Sequence, residues 1–252
     1  MNEPEDKLFY ARLSDMLSRC ERDCCAQFSS FLDERQCALA EEWCSRNRGE
    51  LCSVLWGGYP DARRRMLAIY PEYCQEYILD EFPMRCVTFS FRKEDKLTHR
   101  DLLGTFMGMM LKRDTIGDII VTEGAAQTFV TDVAAKVITG SVSKVGRVGV
   151  KVSDDRPFEL ELKQEFEDIK GTVASMRLDC IVSLAAKVSR ENAARLIRSE
   201  KVDINHFTAS SVSAELREGD VLSIRGSGRF ILSGIDGETK KGRIHINLRK
   251  YI

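Results

Sequence analysis

The sequence predicts an α+β protein in three parts. These are a helical N-terminal region (1–80), a middle domain of alternating strands and helices (81–170), and a C-terminal domain (171–252) that joins two helices to a small β-sheet. Three observations predict this division: helical apolar spacing near the start, alternating strand and helix patterns in the middle, and two helical patterns before four strand patterns at the end. A chain of 252 residues can bury the cores of two or three modest domains.

The N-terminal region is rich in helix-forming residues and poor in β-branched ones. Leu13, Met16 and Leu17 recur at helical spacing. The segment "WGGYP" interrupts this pattern, and a further helix is predicted over 62–70, where the next proline stops it. We interpret the three arginines at 63–65 as a solvated helix face, with contact to phosphate as the alternative.

The residue pattern of the middle domain predicts the element order β-α-β-β-α-β. "MRCVTFSF" alternates as a strand, and "THRDLLGTFMGMMLKR" is helical, with Thr98 as its N-cap and Asp101 at its third position. Two closely spaced strands, a second helix and the strand "GRVGVKV" follow, and "FELELKQEF" is a further candidate strand. This order is that of a ferredoxin-like or RRM-like sheet. Because the aromatic signature of RNA recognition modules is absent, base stacking on this sheet is not expected.

Two helices and four strands are predicted in the C-terminal domain. The helices are "ASMRLDCIVSLAAKV", with Ala174 or Ser175 near its cap, and "SRENAARLIRSE", with Ser189 as its N-cap. The strands are "KVDIN", "DVLSIRG", "RFILSGI" and "GRIHINLRK", and the glycines between the second and third predict a tight turn. From Thr172 onward there are 14 Lys and Arg against 9 Asp and Glu, whereas the whole chain has a net charge of -1. A basic C-terminal part favours an anionic partner, although the excess is modest.

Cations concentrate around the second of these helices. Its N-terminus offers free backbone N–H groups and the positive end of the helix dipole, and Ser189 and Arg190 lie beside them, as in an anion site. Arg195 and Arg198 share one flank at a spacing of three residues, and Lys201 follows as the next strand begins. The alternative interpretation is a solvated basic helix without a partner.

Further arginines extend this predicted surface. Arg177, at the start of the first helix, joins it if the two helices pack as an antiparallel pair. Arg225 and Arg229 bracket a Gly-Ser-Gly turn. They either make a second phosphate contact from the sheet or belong to a plain hairpin with two exposed arginines, and the sequence leaves both interpretations open.

These residues resemble the S4 RNA-binding domain, a family named for a small-subunit ribosomal protein. The resemblance covers most of the C-terminal domain. It implies that the helical pair and the adjoining loop grip structured RNA, and that Arg177, Ser189, Arg190, Ala193 and Lys201 face it. Asp179 is expected to orient Arg177 or to cap its helix, and His206 departs from the family, whose members often have glycine there. The shared positions are Arg177-Leu178-Asp179, Ser189-Arg190, Ala193, Leu196-Ile197, Val202, Asn205, Gly219-Asp220 and Arg225-Gly226.

The arrangement of the chain also resembles the YlmH family of RNA-binding proteins. The motifs are "HRDLLG" and "KRDTIGDI" in the middle domain and "GRFILSG" in the C-terminal domain. The resemblance implies binding to the free large ribosomal subunit that still carries a peptidyl-tRNA, in ribosome-associated quality control, where such proteins support C-terminal tailing of the stalled chain. The expected partners are therefore structured RNA (large-subunit rRNA and tRNA) and the large ribosomal subunit.

No catalytic motif is recognisable. A pseudouridine synthase would carry an Asp motif in a catalytic domain after its S4 domain, and a tyrosyl-tRNA synthetase would carry a His-x-Gly-His type signature. Gly-x-Ser-x-Gly, a phosphate-binding loop and His-Glu-x-x-His are also absent. We expect a non-catalytic protein with no cofactor and no small-molecule substrate. The alternative is an rRNA- or tRNA-modifying enzyme whose active site lies in the middle domain.

Cysteine usage and hydropathy indicate the cellular environment. The nine cysteines form no Cys-x-x-Cys pair and there are only three histidines, so no metal site is expected. The start of the chain lacks the basic-then-apolar pattern of a signal peptide, and no apolar run approaches about 18 residues. We therefore expect a cytoplasmic protein with reduced thiols and no membrane partner.

Overall fold

The computed structural model describes residues 3–154, 166–239 and 242–251 of the chain. They form two compact units, one up to residue 154 and one from residue 166 onward. Both units combine helices with antiparallel sheets, so the α+β class is confirmed. The boundary expected near residue 80 stays a prediction. The candidate strand "FELELKQEF" lies outside the described residues, except for its last one.

The first unit begins with helices and a small sheet. Asp33 caps the second helix in a capping box with Gln36, whose backbone N–H donates to the Asp33 carboxylate at 2.8 Å. The three strands lie in the order β1-β3-β2. The elements are α1 (Glu3–Asp23), β1 (Gln27–Phe28), α2 (Glu34–Asn47), β2 (Cys52–Trp56) and β3 (Met66–Tyr70).

The helix predicted over 62–70 is wrong, because this segment forms strand β3 at the centre of the sheet. All five residues of β3 are buried, since Leu67 and Ile69 pack against the first two helices while Met66 and Ala68 pack on the other side. A strand that is buried on both faces has a continuous apolar pattern, which periodicity does not distinguish from a buried helical segment.

The middle of the chain completes the first unit. Its main sheet has the order β5-β6-β4-β9 with antiparallel neighbours, and the small β7–β8 hairpin precedes the last strand. The predicted cap of α3 is confirmed, because Thr98 and Asp101 form a capping box. The elements are β4 (Met84–Ser90), α3 (His99–Gly108), β5 (Ile116–Thr122), β6 (Ala125–Thr131), α4 (Asp132–Ser141), β7 (Lys144–Val145), β8 (Val148–Gly149) and β9 (Lys151–Ser153).

Both faces of this main sheet are covered. Helices α3 and α4 pack on the face that carries Phe89 and Val130. The N-terminal region packs on the opposite face, where Phe129 lies in one core with Phe31 and Tyr59. RNA recognition modules stack bases on the sheet face that their helices leave open, and here that face is buried.

The motif "KRDTIGDI" joins the N-terminal region to this sheet. The Asp118 carboxylate accepts hydrogen bonds from the Tyr59 hydroxyl at 2.7 Å and from the backbone N–H of Arg64 at 3.1 Å. The Arg64 guanidinium donates to the carbonyl groups of Phe31 at 3.2 Å and Arg113 at 3.0 Å. Arg64 therefore does not lie on a solvated helix face, as the sequence interpretation had it, but connects two parts of one unit.

The second unit contains the helical pair and the four predicted strands, together with two strands that were not predicted, β10 and β12. Its sheet has the order β10-β15-β14-β13-β11-β12. Helices α5 and α6 share one apolar core with Leu222, Phe230 and Leu232 of this sheet. The elements are β10 (Phe166–Val173), α5 (Leu178–Ala185), α6 (Arg190–Arg198), β11 (Val202–Ile204), β12 (Phe207–Thr208), β13 (Val221–Ile224), β14 (Gly228–Glu238) and β15 (Ile244–Tyr251).

Candidate nucleic-acid interface

A single buried carboxylate organises the first turns of α5 and α6. Asp179 accepts a hydrogen bond from Arg190 Nη2 at 2.5 Å and another from Arg177 Nε at 3.2 Å. The expectation that Asp179 orients Arg177 is confirmed by this contact, and the same carboxylate also holds Arg190. Arg177 is itself the N-cap residue of α5, so the helix begins later than Ala174 or Ser175. We call Arg177 and Arg190 the capping pair.

The capping pair retains positive charge and exposure. Burial raises the pKa of Asp179, but the hydrogen bonds from Arg190 and Arg177 outweigh it, so the pKa lies below its ordinary value and the carboxylate is ionised near neutral pH. One negative charge then faces two guanidinium groups. Because the Arg190 side chain is still 56% exposed and that of Arg177 42% exposed, both remain accessible to an anionic ligand.

Ser189 and Ala193 have structural roles in α6. The Ser189 hydroxyl accepts a hydrogen bond from the backbone N–H of Asn192 at 3.2 Å, which confirms the predicted N-cap. Its O–H remains available as a donor. Ala193 is completely buried in the core between the helices and the sheet. The expectation that its side chain faces RNA is therefore wrong, and its small size serves close packing instead.

The remaining helix cations lie toward the C-terminal end of α6. Arg195 forms an exposed ion pair with Glu191 at 3.5 Å, an arrangement that contributes little in water. The backbone N–H of Arg225 donates to the carbonyl of Lys201 at 2.9 Å, so these two residues are neighbours just beyond the paired ends of β11 and β13. Arg198 lies in the last turn of α6, close in sequence to Lys201.

We call Arg198, Lys201 and Arg225 the strand-side group. All three are exposed, and none forms a side-chain ion pair within the part of the chain that the structure describes. The eight-residue rise of α6 separates Arg190 from Arg198 by about 12 Å along the axis. The cations thus form two groups at the two ends of α6 rather than one cluster.

Arg229 does not join the strand-side group. It alternates with the buried Phe230 along β14, so it lies on the face of the sheet opposite to the helices. Its guanidinium carbon is 5.2 Å from the centroid of the Tyr251 ring, the geometry of a cation–π contact. Of the two arginines that bracket the Gly-Ser-Gly turn, only Arg225 lies beside Lys201.

Two cations of this region were missed by sequence reasoning. A cleft of about 480 Å³ beside Arg190 is also lined by Lys187 and Arg243, and no carboxylate lines it. Arg243 is held by its Nη2 donating to the Thr172 carbonyl at 2.6 Å. Because the pairing of β10 with β15 brings Arg243 to this cleft, no local pattern in the sequence could have indicated it.

Other motif positions shape the turns beneath the strand-side group. Asn205 Nδ2 donates to Asp220 at 2.8 Å, and Asn205 Oδ1 accepts from the backbone N–H of Val221 at 2.9 Å. Asn205 and His206 both have positive φ, +49° and +72°, in the two-residue turn between β11 and β12. The departure at His206 therefore leaves the turn intact, with a histidine in a conformation that favours glycine.

The described residues contain neither a metal-binding cluster nor a membrane-spanning helix. Within them no group of three or more His, Cys, Asp or Glu side chains could hold a metal ion. None of the helices in the described ranges is both long enough and apolar enough to cross a membrane. The absence of catalytic residues, cofactors and metals stays a prediction.

Comparison with known proteins gives similarities of three kinds. Residues 80–159 match the family model described as "Putative RNA-binding domain in YlmH". The chain is 29% identical over 228 residues to the "Ribosome-associated protein quality control protein P2" of Bacillus subtilis (strain 168). The aligned residues cover 89% of this chain and 87% of that protein. A solved structure, "Cell division protein ylmH from Streptococcus pneumoniae", superposes with a TM-score of 0.52 at 22% identity, covering 61% of this chain and 92% of that one.

The three matches agree with one another. The solved structure shows a shared fold, and the relative from Bacillus subtilis extends the similarity over most of the chain. The segment that matches the family model contains both middle-domain motifs, "HRDLLG" and "KRDTIGDI". Residues 80–159 therefore match the RNA-binding domain of the YlmH family, and the resemblance that these motifs predicted is confirmed.

Proposed function

We propose that the protein is a non-catalytic RNA-binding factor of ribosome-associated quality control. Its C-terminal unit acts as an S4-type domain that holds structured RNA, namely large-subunit rRNA and tRNA, on large ribosomal subunits that retain a stalled peptidyl-tRNA. The observation that carries this proposal is the buried Asp179 carboxylate, which fixes two half-exposed guanidinium groups beside the N-terminus of α6.

The physical basis is recognition of phosphate. Arginine forms bidentate, charge-assisted hydrogen bonds to phosphate oxygens, and a guanidinium that is already oriented loses less conformational entropy on binding. The strand-side group adds three exposed cations at the other end of α6. Two cationic groups about 12 Å apart suit contact with separate phosphates of a folded RNA better than capture of one small anion.

The comparisons support the cellular role. The middle domain matches a family model whose description names RNA binding, and the relative from Bacillus subtilis is named for ribosome-associated quality control. A cytoplasmic location is part of the same proposal, because ribosomes that carry stalled chains are found there.

The test is co-sedimentation of the full chain with purified large ribosomal subunits over a range of salt concentrations. The double variant Lys201→Ala/Arg225→Ala removes two members of the strand-side group that hold no carboxylate. We expect weaker binding and a slope of log K against log salt that is smaller by about two. Lys112→Ala/Lys136→Ala, which removes two exposed lysines of the first unit, is the charge-matched control.

Two results would contradict the proposal. Equal binding by the two double variants would show that the strand-side group of the C-terminal unit does not contact the RNA. A change in the mass of tRNA or rRNA after incubation with the protein would show turnover, and would favour an RNA-modifying enzyme over a binding factor.

A further inference from the structure

The middle domain needs an RNA-binding surface other than the face of its sheet. Both faces of the β5-β6-β4-β9 sheet are covered, one by α3 and α4 and the other by the N-terminal region. An RNA contact in this domain therefore has to use an edge or an end of the sheet. The cations of the middle domain are not distributed evenly among these places.

Three loops meet at one end of the sheet. Ser90, the last residue of β4, is paired with Ala125 at the start of β6 and with Lys151 at the start of β9. The loop after β4 folds against the β5–β6 turn, because the backbone N–H of Phe91 donates to the Gly124 carbonyl at 3.0 Å. A Cβ placed at Gly124 would lie 3.1 Å from Lys93 Cγ, so Lys93 extends directly across this turn.

The β7–β8 hairpin brings further cations to the same end. Its base is closed by a hydrogen bond from the backbone N–H of Val150 to the Ser143 carbonyl at 3.0 Å, directly before Lys151. Val145 anchors it by complete burial in the core beneath α3 and α4. Lys144 and Arg147 are exposed on this anchored hairpin.

These loops carry an excess of unpaired positive charge. Their carboxylates number three, Glu94, Asp95 and Glu123, against six exposed cations. None of the six has a side-chain ion pair among the residues that the structure describes. We call the six cations the loop-end patch: Arg92, Lys93, Lys96, Lys144, Arg147 and Lys151.

We propose that the loop-end patch binds the phosphodiester backbone of structured RNA, as a second contact besides the C-terminal unit. This inference rests on the proposed function and names the surface that the middle domain contributes. A protein partner fits the patch less well, since protein interfaces bury an apolar centre. Among the described residues, no large apolar side chain of these three loops is exposed.

The test uses the full chain and two probes, purified large ribosomal subunits and bulk deacylated tRNA. Lys144→Gln/Arg147→Gln/Lys151→Gln removes three charges from the patch, and Arg92→Gln/Lys93→Gln removes two charges from the neighbouring loop. We expect the triple variant to lower the salt slope by about two to three and the affinity by about tenfold or more on at least one probe. The matched control is Lys7→Gln/Lys112→Gln/Lys136→Gln, which removes three exposed lysines outside the patch.

The outcomes separate this inference from the proposed function. If both patch variants bind like the matched control while Lys201→Ala/Arg225→Ala loses binding, the patch is refuted and the proposed function stands. If the wild-type protein binds neither probe, both are refuted. If the patch triple and the C-terminal double each weaken binding and their free-energy effects add in the combined variant, two separate contacts are supported. The two-residue variant decides the question if the triple variant is not folded.

Discussion

Asp179 and Arg190 are joined at 2.5 Å although they lie in different helices, and the carboxylate of this pair is buried while the guanidinium is half exposed. Removing the carboxylate would therefore add net positive charge to the surface and would also release the orientation of Arg190 and Arg177. These two effects act on RNA binding in opposite directions. A substitution of Asp179 therefore shows whether the orientation of the arginines or the net charge of the surface has the larger effect on binding.

We expect Asp179→Asn to weaken binding to large ribosomal subunits, although it raises the net charge by one. The amide keeps the size of the side chain, but its bonds to two guanidinium groups lose their ionic character, so both arginines sample more rotamers. Binding constants at several salt concentrations provide the measurement. Tighter binding by the variant would mean that charge alone governs the interface. Glu191→Gln, on the exposed flank of α6, is the control that adds charge without releasing the capping pair.

The same carboxylate predicts a pH dependence of stability. The pKa of Asp179 is lowered in the folded state from its ordinary value of 3.8, because the hydrogen bonds from Arg190 and Arg177 outweigh the effect of burial. Its contribution is thus fully present above the unfolded pKa and is lost as pH falls through the folded pKa. The free energy of unfolding, measured with urea at pH 7 and again below pH ~4, is expected to fall more between these conditions for the wild type than for Asp179→Asn. Parallel losses in the two proteins would contradict this assignment.

His206→Gly is expected to stabilise the C-terminal unit. A non-glycine residue in the left-handed region costs about 1–2 kcal/mol, whereas the added freedom of glycine in the unfolded chain costs about 0.4–1 kcal/mol. The strain relief is the larger effect, so we expect a gain of about 0.5–1 kcal/mol in the free energy of unfolding, measured by urea denaturation. His206→Ala keeps the positive φ and removes the imidazole, so it should show no gain. Equal effects of the two substitutions would argue against strain at this turn.

Gly117→Ala is expected to destabilise the first unit. A Cβ at this position would lie 2.7 Å from Phe31 Cε1 and 3.0 Å from the Phe129 carbonyl oxygen, and Phe31 is fully buried. Overpacking of this kind costs about 1–3 kcal/mol, which thermal or urea unfolding would detect. Gly104→Ala in α3, where nothing lies within 4 Å, is the control and should be neutral or stabilising.

A second substitution tests the cause of this effect. In the Gly117→Ala background, Phe31→Leu removes part of the ring that the new methyl group would meet. The double variant should therefore lose less free energy of unfolding than the sum of the losses in the two single variants. Strict additivity would show that the Gly117–Phe31 contact is not the source of the destabilisation.

Much of the candidate site follows from local sequence. The N-caps at Thr98 and Ser189, the apolar faces of α5 and α6, and the four strands from β11 to β15 that were predicted all depend on residues close together in the chain. Caps and periodic apolar faces depend on residues within one or two turns of a helix, so they can be predicted from the sequence without tertiary information. The motifs of the middle and C-terminal domains belong to the same class of local signals.

The sequence by itself determined the α+β class, the helical pair, the cations around α6 and the resemblance to the YlmH family. Only the tertiary structure decided that 66–70 is a strand, that Ala193 is buried, and that Arg229 lies on the face opposite to the helices. It also decided that the middle sheet is covered on both faces. The physical reason is that burial and side-chain partners depend on which distant segments pack together. A local pattern of apolar and charged residues is compatible with several such packings, and the free energy of the whole core selects among them.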